Sequence, residues 1–182
     1  MLNTLSGRFL ILTTVFVMLA EVLIFVPSIA RFREDYLSDR LQRAQIASLA
    51  LLADDMLDTE LEAELLENAG VFNVVLRRDE IRQLMLASPI PQPITGTYDL
   101  RMAGAMTLIK DAMLRLATRE NEIIRVIGAP VRDAGLLIEV TMETAPLRAA
   151  MIDYGVRILI LSAVLSVFTA VLLFVAVRSV LV

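Results

Sequence analysis

The chain has 182 residues, a net charge of −4, 57% hydrophobic residues, no cysteine and no histidine. The missing residue types exclude disulfides, cysteine or histidine metal ligands, Ser-His-Asp catalysis and phosphotransfer to a histidine of this chain. The acidic balance, with no basic stripe among aromatics, argues against nucleic-acid binding, and no sequence pattern indicates a catalytic residue.

The first element is an apolar run, Phe9–Ala30. It is long enough to cross a hydrocarbon layer of ~30 Å as a helix rising ~1.5 Å per residue. The alternative is a cleaved signal peptide, with Arg8 as its basic start and Ser28-Ile29-Ala30 as its cleavage site. The apolar core of a signal peptide usually has only about 7–15 residues, so we favour a retained anchor.

Glu21 lies near the middle of this run, where an acidic residue costs on the order of 2.5–3.5 kcal/mol on insertion scales. One interpretation is a polar contact inside a dimeric helix bundle that changes with a signal. The other is a protonated glutamate tolerated in an apolar helix. Hydroxyl groups that could bond to it are those of Thr13, Thr14, Ser162, Ser166 and Thr169.

The residues from Arg31 to about Leu57 predict a helix continuous with the first run. A stripe with heptad-like spacing follows this helix: Leu37, Leu41, Ala44, Ser48 and Leu51. The stripe packs either against the sheet of its own domain or against a partner subunit.

A second helix is predicted to begin at Asp58 or Thr59 and to stop before Gly70. Thr59 and Glu62 fit a capping box, and Gly70 fits the C′ position. Two strands, Val71–Leu76 and Ile81–Ala87, are then predicted to form a hairpin.

The next segment, Ser88–Gly96, contains three prolines and is predicted to be a loop at a ligand rim. A helix over Leu100–Ala117 follows, with Met102, Met106 and Met113 predicted to lie in the core. Two more strands are then predicted, Glu122–Ile127 and Leu136–Met142. The last predicted element is a helix that begins at Pro146 and continues into a second apolar run, Ile158–Val177.

The predicted fold is therefore α+β, with an antiparallel sheet, a long N-terminal helix and two transmembrane helices, 9–30 and 158–177, around an extracytoplasmic domain, 31–157. The extracytoplasmic position of this domain, with residues 1–8 and 178–182 on the cytoplasmic side, is an expectation that rests partly on the resemblance described next. Flanking arginines do not fix the orientation, because charge bias loses force for loops longer than about 60 residues.

Four segments give the chain a resemblance to a known class of receptor: MLAEVLIFVPSIARFREDYL (Met18–Leu37), LENAGV (Leu66–Val71), YDLR (Tyr98–Arg101) and Val177-Arg178-Ser179. The chain resembles the N-terminal sensor region of bacterial two-component membrane sensor histidine kinases. That resemblance implies a PAS-like sensory domain, a homodimer in the inner membrane as a multi-pass protein, and a small-molecule or protein stimulus. It also implies a HAMP linker and a kinase after Val182, so ATP, Mg²⁺ and the response regulator would bind only there, and no cofactor is expected in this chain.

Two alternatives share this layout. The same input could feed a chemotaxis or cyclase output. A protein of a different class, a non-catalytic two-span assembly or interaction protein, would also show two spans around one domain.

The candidate ligand-binding residues are Arg77, Arg78, Arg82 and Arg101, which surround the first hairpin and follow the proline-rich loop. Guanidinium groups bind carboxylates with two hydrogen bonds, so these residues favour an acidic metabolite. The alternative is that they are solvated. An acidic run that could hold a divalent cation lacks the spacing of a calcium loop, and a solvated helix explains it better: Asp54, Asp55, Asp58, Glu60, Glu62, Glu64 and Glu67.

Overall fold

The first helix, α1 (Leu5–Ala53), is one uninterrupted element in the computed structural model, which describes residues 5–53, 58–79, 83–133 and 135–181. The predicted continuity of the first apolar run with the helix beyond Arg31 is confirmed. Along its second half, Leu37, Leu41 and Ala44 are at most 5% exposed. The heptad-like stripe thus packs inside its own domain over this length, while the side chain of Leu51 lies outside the described set.

The second helix, α2 (Thr59–Ala69), ends as predicted at Gly70, whose φ of 67° and ψ of 41° are left-handed. The predicted capping box is wrong, because Asp58 is the N-cap and Thr59 is already helical. Glu62 instead accepts a hydrogen bond from the backbone N–H of Ala87 at 3.0 Å.

Five strands form one sheet in the order β2-β1-β5-β4-β3. Both predicted hairpins, β1 with β2 and β4 with β5, are confirmed as antiparallel pairs. The strands are β1 (Asn73–Arg77), β2 (Gln83–Ala87), β3 (Ile94–Asp99), β4 (Ile123–Gly128) and β5 (Leu137–Glu143).

The sheet is mixed, so the predicted antiparallel sheet is wrong at one edge, where β3 runs parallel to β4. The helix α3 (Ala105–Ala117) connects these two strands and carries the chain back, which is what a parallel pair requires. The predicted proline-rich loop also ends early. Pro93 is the last proline of the segment, so Ile94, Thr95 and Gly96 all have backbone N–H donors, and β3 begins at Ile94.

Two of the methionines predicted to lie in the core are exposed: Met102 by 84% and Met106 by 78%. The helix α3 begins at Ala105 rather than Leu100, so Met102 precedes it. The face that packs inward carries Ala112 and Arg115, which are buried, while Met113 packs against the edge of the core.

The last helix, α4 (Thr144–Leu181), begins at the residue that follows β5, two residues earlier than predicted. Pro146 lies in its first turn, where a missing N–H leaves no helical bond unmade. Leu147 and Met151 on α4 are fully buried and join the core formed by Val140 of β5 and the buried side of α1.

Two helices are long and apolar enough to cross a membrane. The spans that meet this criterion among the described residues are Val15–Leu49, with a mean hydropathy of 2.0, and Thr144–Thr169, with a mean hydropathy of 1.8. In the most apolar 18-residue window of each span only 11% of the residues are buried, whereas the part of α1 beyond Ala30 and the start of α4 pack in the core.

Candidate functional site

The helices α1 and α4 make a close contact below the sheet. The rings of Phe32 and Tyr154 stack with centroids 4.3 Å apart and an interplanar angle of 13°. At the next residue of α4, a methyl group placed on Gly155 would lie 3.3 Å from side-chain carbons of Phe25 and Ile29. The absence of a side chain at Gly155 thus permits the close approach of the two helices.

The contact continues into the apolar runs through Glu21. Ser162 Oγ of α4 donates a hydrogen bond to Glu21 Oε1 at 3.2 Å, within the same chain. Thr169 instead donates to the carbonyl of Leu165, and the side chains of Thr13 and Thr14 lie outside the described set. A contact of Glu21 with a second subunit stays a prediction.

A polar cluster joins the start of α4 to the end of α3. Arg148 Nε and Nη2 both donate to the carbonyl oxygen of Leu116 at 3.2 Å. The buried Arg115 forms an ion pair of 2.8 Å with Glu122, whose backbone N–H donates to Thr144 Oγ1 at 2.9 Å. These contacts link the end of α3 and the start of β4 to the first two turns of α4.

Arg33 is the most deeply buried cation of the described residues, with 1% of its surface exposed. Its guanidinium lies over the ring of Tyr98, 4.6 Å from the centroid, and its Nε has no hydrogen-bond partner among the described residues. Burial lowers the pKa of the Arg33 guanidinium, while Asp111 and Tyr98 oppose that shift. Burying a cation is costly even where a carboxylate such as Asp111 favours its charge, and such a cost is typical of positions with a specific role.

Sequence reasoning missed Arg33, because an arginine just after an apolar run reads as a flanking charge. The available signal was its spacing. Arg33 lies four residues before Leu37 and four after Ile29, both of which are buried, so it continues the inward face of α1.

The predicted ligand-binding arginines share one end of the sheet but do not converge. Arg77 and Arg78 are exposed at the end of β1, whereas Arg101 follows β3. Two strands, β5 and β4, lie between β1 and β3. The backbones of β1 and β3 are therefore roughly 14 Å apart, which is three inter-strand spacings of ~4.8 Å. Arg82 lies outside the described residues. The ligand role of all four stays a prediction.

Arg101 is held by Asp99 through Nε at 2.9 Å and Nη2 at 2.7 Å. This hydrogen bond lowers the pKa of the Asp99 carboxyl and raises that of Arg101. Arg101 also lines a groove of about 280 Å³ against α1. There the Gln45 side chain pairs with the backbone of Val131, donating at 3.0 Å and accepting at 2.8 Å. The groove thus touches both α1 and the β4–β5 connection.

A larger groove of about 430 Å³ lies between α1, α2 and the start of α4. Its cation, Arg40, donates to the carbonyl of Ala69 at 3.0 Å and to Tyr36 Oη at 2.8 Å. The guanidinium passes directly over Gly70, where an added methyl group would overlap it. Apolar walls with few polar groups suit a small amphipathic ligand. The lining includes Leu66, Val71, Phe72, Met142, Glu143 and Pro146.

The acidic run does not assemble a metal site among the described residues, which contain no group of three potential ligands. Asp58, Glu60, Glu64 and Glu67 are exposed, and Asp54 and Asp55 lie outside the described residues.

Comparison with known proteins returned no matching family model, no similar curated protein and no similar solved structure.

Proposed function

We propose that this chain is the signal-input region of a membrane receptor, of the kind found in two-component sensor histidine kinases. In this proposal α1 and α4 cross the inner membrane and the domain between them is a PAS-like sensor on the extracytoplasmic side. A stimulus favours one arrangement of the domain, and α4 carries the change to an output on the other side. A ligand can do so only if it binds one arrangement more tightly.

One observation carries the proposal: both apolar helices are continuous with the packed domain. The helix α1 runs from Leu5 to Ala53 without a break, and α4 begins at Thr144, directly after β5. A simple membrane tether needs no such rigid connection, whereas a receptor needs the domain and its membrane helices to move together.

The buried contacts at the base of the domain support the same conclusion. The polar cluster of Arg115, Glu122 and Arg148 ties α3 and β4 to the first turns of α4. The Phe32–Tyr154 stack then ties α4 to α1. A change at either groove would therefore reach the membrane helices through packed contacts rather than through a loop.

The topology is testable because the chain has no cysteine. Single cysteines at Glu60 and Arg119, both exposed in the domain, should react with a membrane-impermeant maleimide in spheroplasts. Cysteines at Ser6 and Ser179 should react only after the membrane is permeabilised. Reaction of all four positions from the same side would contradict the proposed crossing.

Signal transfer is tested by joining residues 1–182 to the HAMP linker and kinase of a characterised receptor and measuring autophosphorylation in vesicles. Tyr154→Leu and Gly155→Val, which disturb the α1–α4 contact, should change the basal output several-fold. Ile46→Leu on the exposed face of α1 is the matched control, because Ile46 is 72% exposed. Equal output from all four proteins would exclude transmission through this contact.

A further inference from the structure

The helix α4 has a second apolar face that points away from its own domain. Its larger members are Ile152, Val156 and Leu159, which are 39%, 48% and 48% exposed. We call these residues, with the exposed Ala145, Ala149 and Ala163, the outer stripe of α4. The inner face of the same helix, with Leu147 and Met151 fully buried, is already used by the domain.

The members of the outer stripe follow one another at alternating intervals of four and three residues. This is the repeat of the a and d positions in a coiled coil, with Ala149 and Val156 at a and Ile152 and Leu159 at d. Helices with this repeat bury the stripe against another helix with the same repeat. The stripe begins in the domain and continues into the apolar run without a break.

Charged residues flank the outer stripe in positions where two identical helices could pair them with each other. With Ala149 at a, Arg148 occupies g and Asp153 occupies e. In a parallel pair of helices, a g residue faces the e residue five positions further along the partner helix. Arg148 of one copy would therefore face Asp153 of the other, and the two-fold axis would form the pair twice.

The local structure places Arg148 and Asp153 for this role. Arg148 is anchored by its two hydrogen bonds to the carbonyl of Leu116, which fixes it on one flank of the stripe. Asp153 is exposed on the other flank, where it pairs with Arg157 at 2.6 Å. Between them runs a groove of about 500 Å³ whose lining includes Arg119, Ala149, Ile152 and Val156.

We infer that the outer stripe of α4 is the surface on which a second copy of this chain docks, in parallel and along the two-fold axis. The parallel arrangement rests on the proposed function, because two copies inserted in one membrane with one topology have the same direction. The small side chains at 145, 149 and 163 allow the two helices to approach closely, which favours association in lipid as well as in water. The spacing of Arg148 and Asp153 lets two identical parallel helices form the charge pair twice by symmetry, which favours a second copy over a different protein.

The inference is tested by disulfide cross-linking of the full chain in native membranes, with single cysteines introduced one at a time. Ala149→Cys, Ile152→Cys and Val156→Cys should give covalent dimers under mild oxidation, at least several-fold more than the controls. The controls on α4 are Arg157→Cys and Leu161→Cys, which are exposed but lie off the stripe. Asp39→Cys and Ile46→Cys, exposed on α1, test the other long helix.

A charge exchange provides the second measurement, in the Ile152→Cys background. Arg148→Glu and Asp153→Arg should each reduce the dimer fraction several-fold, and the double variant should restore it. A merely structural loss at Arg148 would not be rescued by a change at Asp153.

Three results would overturn the inference: dimers that peak at Asp39 or Ile46, yields on α4 that show no heptad periodicity, or no dimer at any position in membranes that contain the protein. None of these would affect the maleimide labelling that tests the membrane topology, so the two proposals can fail separately.

Discussion

Phe32 on α1 stacks on Tyr154 on α4, with ring centroids 4.3 Å apart. This aromatic contact joins the two long helices, and both rings pack against the edge of the core. The geometry predicts that the two residues contribute to stability as a pair rather than independently.

A double-mutant cycle measures this coupling. Phe32→Leu and Tyr154→Leu keep most of the apolar area but remove the stacked rings. We expect an interaction free energy of about 0.5–1.5 kcal/mol, the usual value for aromatic pairs beyond their burial. Chemical unfolding in detergent micelles is the measurement, and strictly additive losses would show that the stack carries no coupling.

Gly70→Ala is expected to be costly for two separable reasons. Its φ of 67° is left-handed, which costs a residue with a Cβ about 1–2 kcal/mol. The added methyl group would also displace the guanidinium of Arg40 and its hydrogen bond to Ala69. In an Arg40→Ala background only the first cost remains, so Gly70→Ala should then destabilise less. An equal loss in both backgrounds would mean that Arg40 can move aside freely.

Arg33→Met should leave the free energy of unfolding unchanged or raise it by about 1–4 kcal/mol, because a buried charge is replaced by an apolar side chain of similar length. Burial lowers the pKa of the Arg33 guanidinium in the folded state, so the folded chain holds this proton less tightly than the unfolded chain does. The cost would be relieved only as the pH rises through that lowered pKa.

Asp111 provides the control for Arg33. Asp111→Asn removes a carboxylate that favours the charged guanidinium, so it should destabilise the unmodified chain. The same change should have little effect once Arg33 is methionine. Unfolding curves of the four proteins in micelles decide this, and a loss of similar size in both backgrounds would exclude an electrostatic link between the two residues.

Arg101→Gln should raise the pKa of Asp99 toward its ordinary value of 3.8, because the hydrogen bond from Arg101 is the main cause that lowers it. The lowered pKa of Asp99 also makes the stability of the fold depend on pH. A lowered carboxyl pKa contributes stability that is fully present above the ordinary pKa and is lost as the pH falls through the folded one. Carboxyl-carbon NMR titration measures the shift. Arg77→Gln, three strand spacings away at the same end of the sheet, should leave the pKa of Asp99 unchanged.

Local sequence pattern was sufficient where neighbouring residues determine the structure. The continuous helix through Arg31 follows from unbroken helical periodicity, and the stop at Gly70 follows from the need for a left-handed residue. The two hairpins follow from β-rich runs around polar turns.

Features that depend on distant contacts could not be predicted in this way. No local pattern indicates that β3 pairs in parallel with β4, since that depends on the path of α3. The apolar periodicity of Met102 and Met106 was real, but the side that faces the core is decided by what packs there, which is Ala112 and Arg115. The surroundings of the buried Arg33 could not be predicted either, because Tyr98 and Asp111 lie 65 and 78 positions further along the chain.

The direct connection from β5 to α4 sets the rotation of the last helix about its own axis. Glu143 is paired with Ile123 in the sheet, and the next residue, Thr144, is already helical. A single residue inserted in the helix at this point would turn the side chains beyond it by about 100°, so the residues that now pack against α1 would no longer face it. The pairing register of β5 thus determines which side of α4 faces α1.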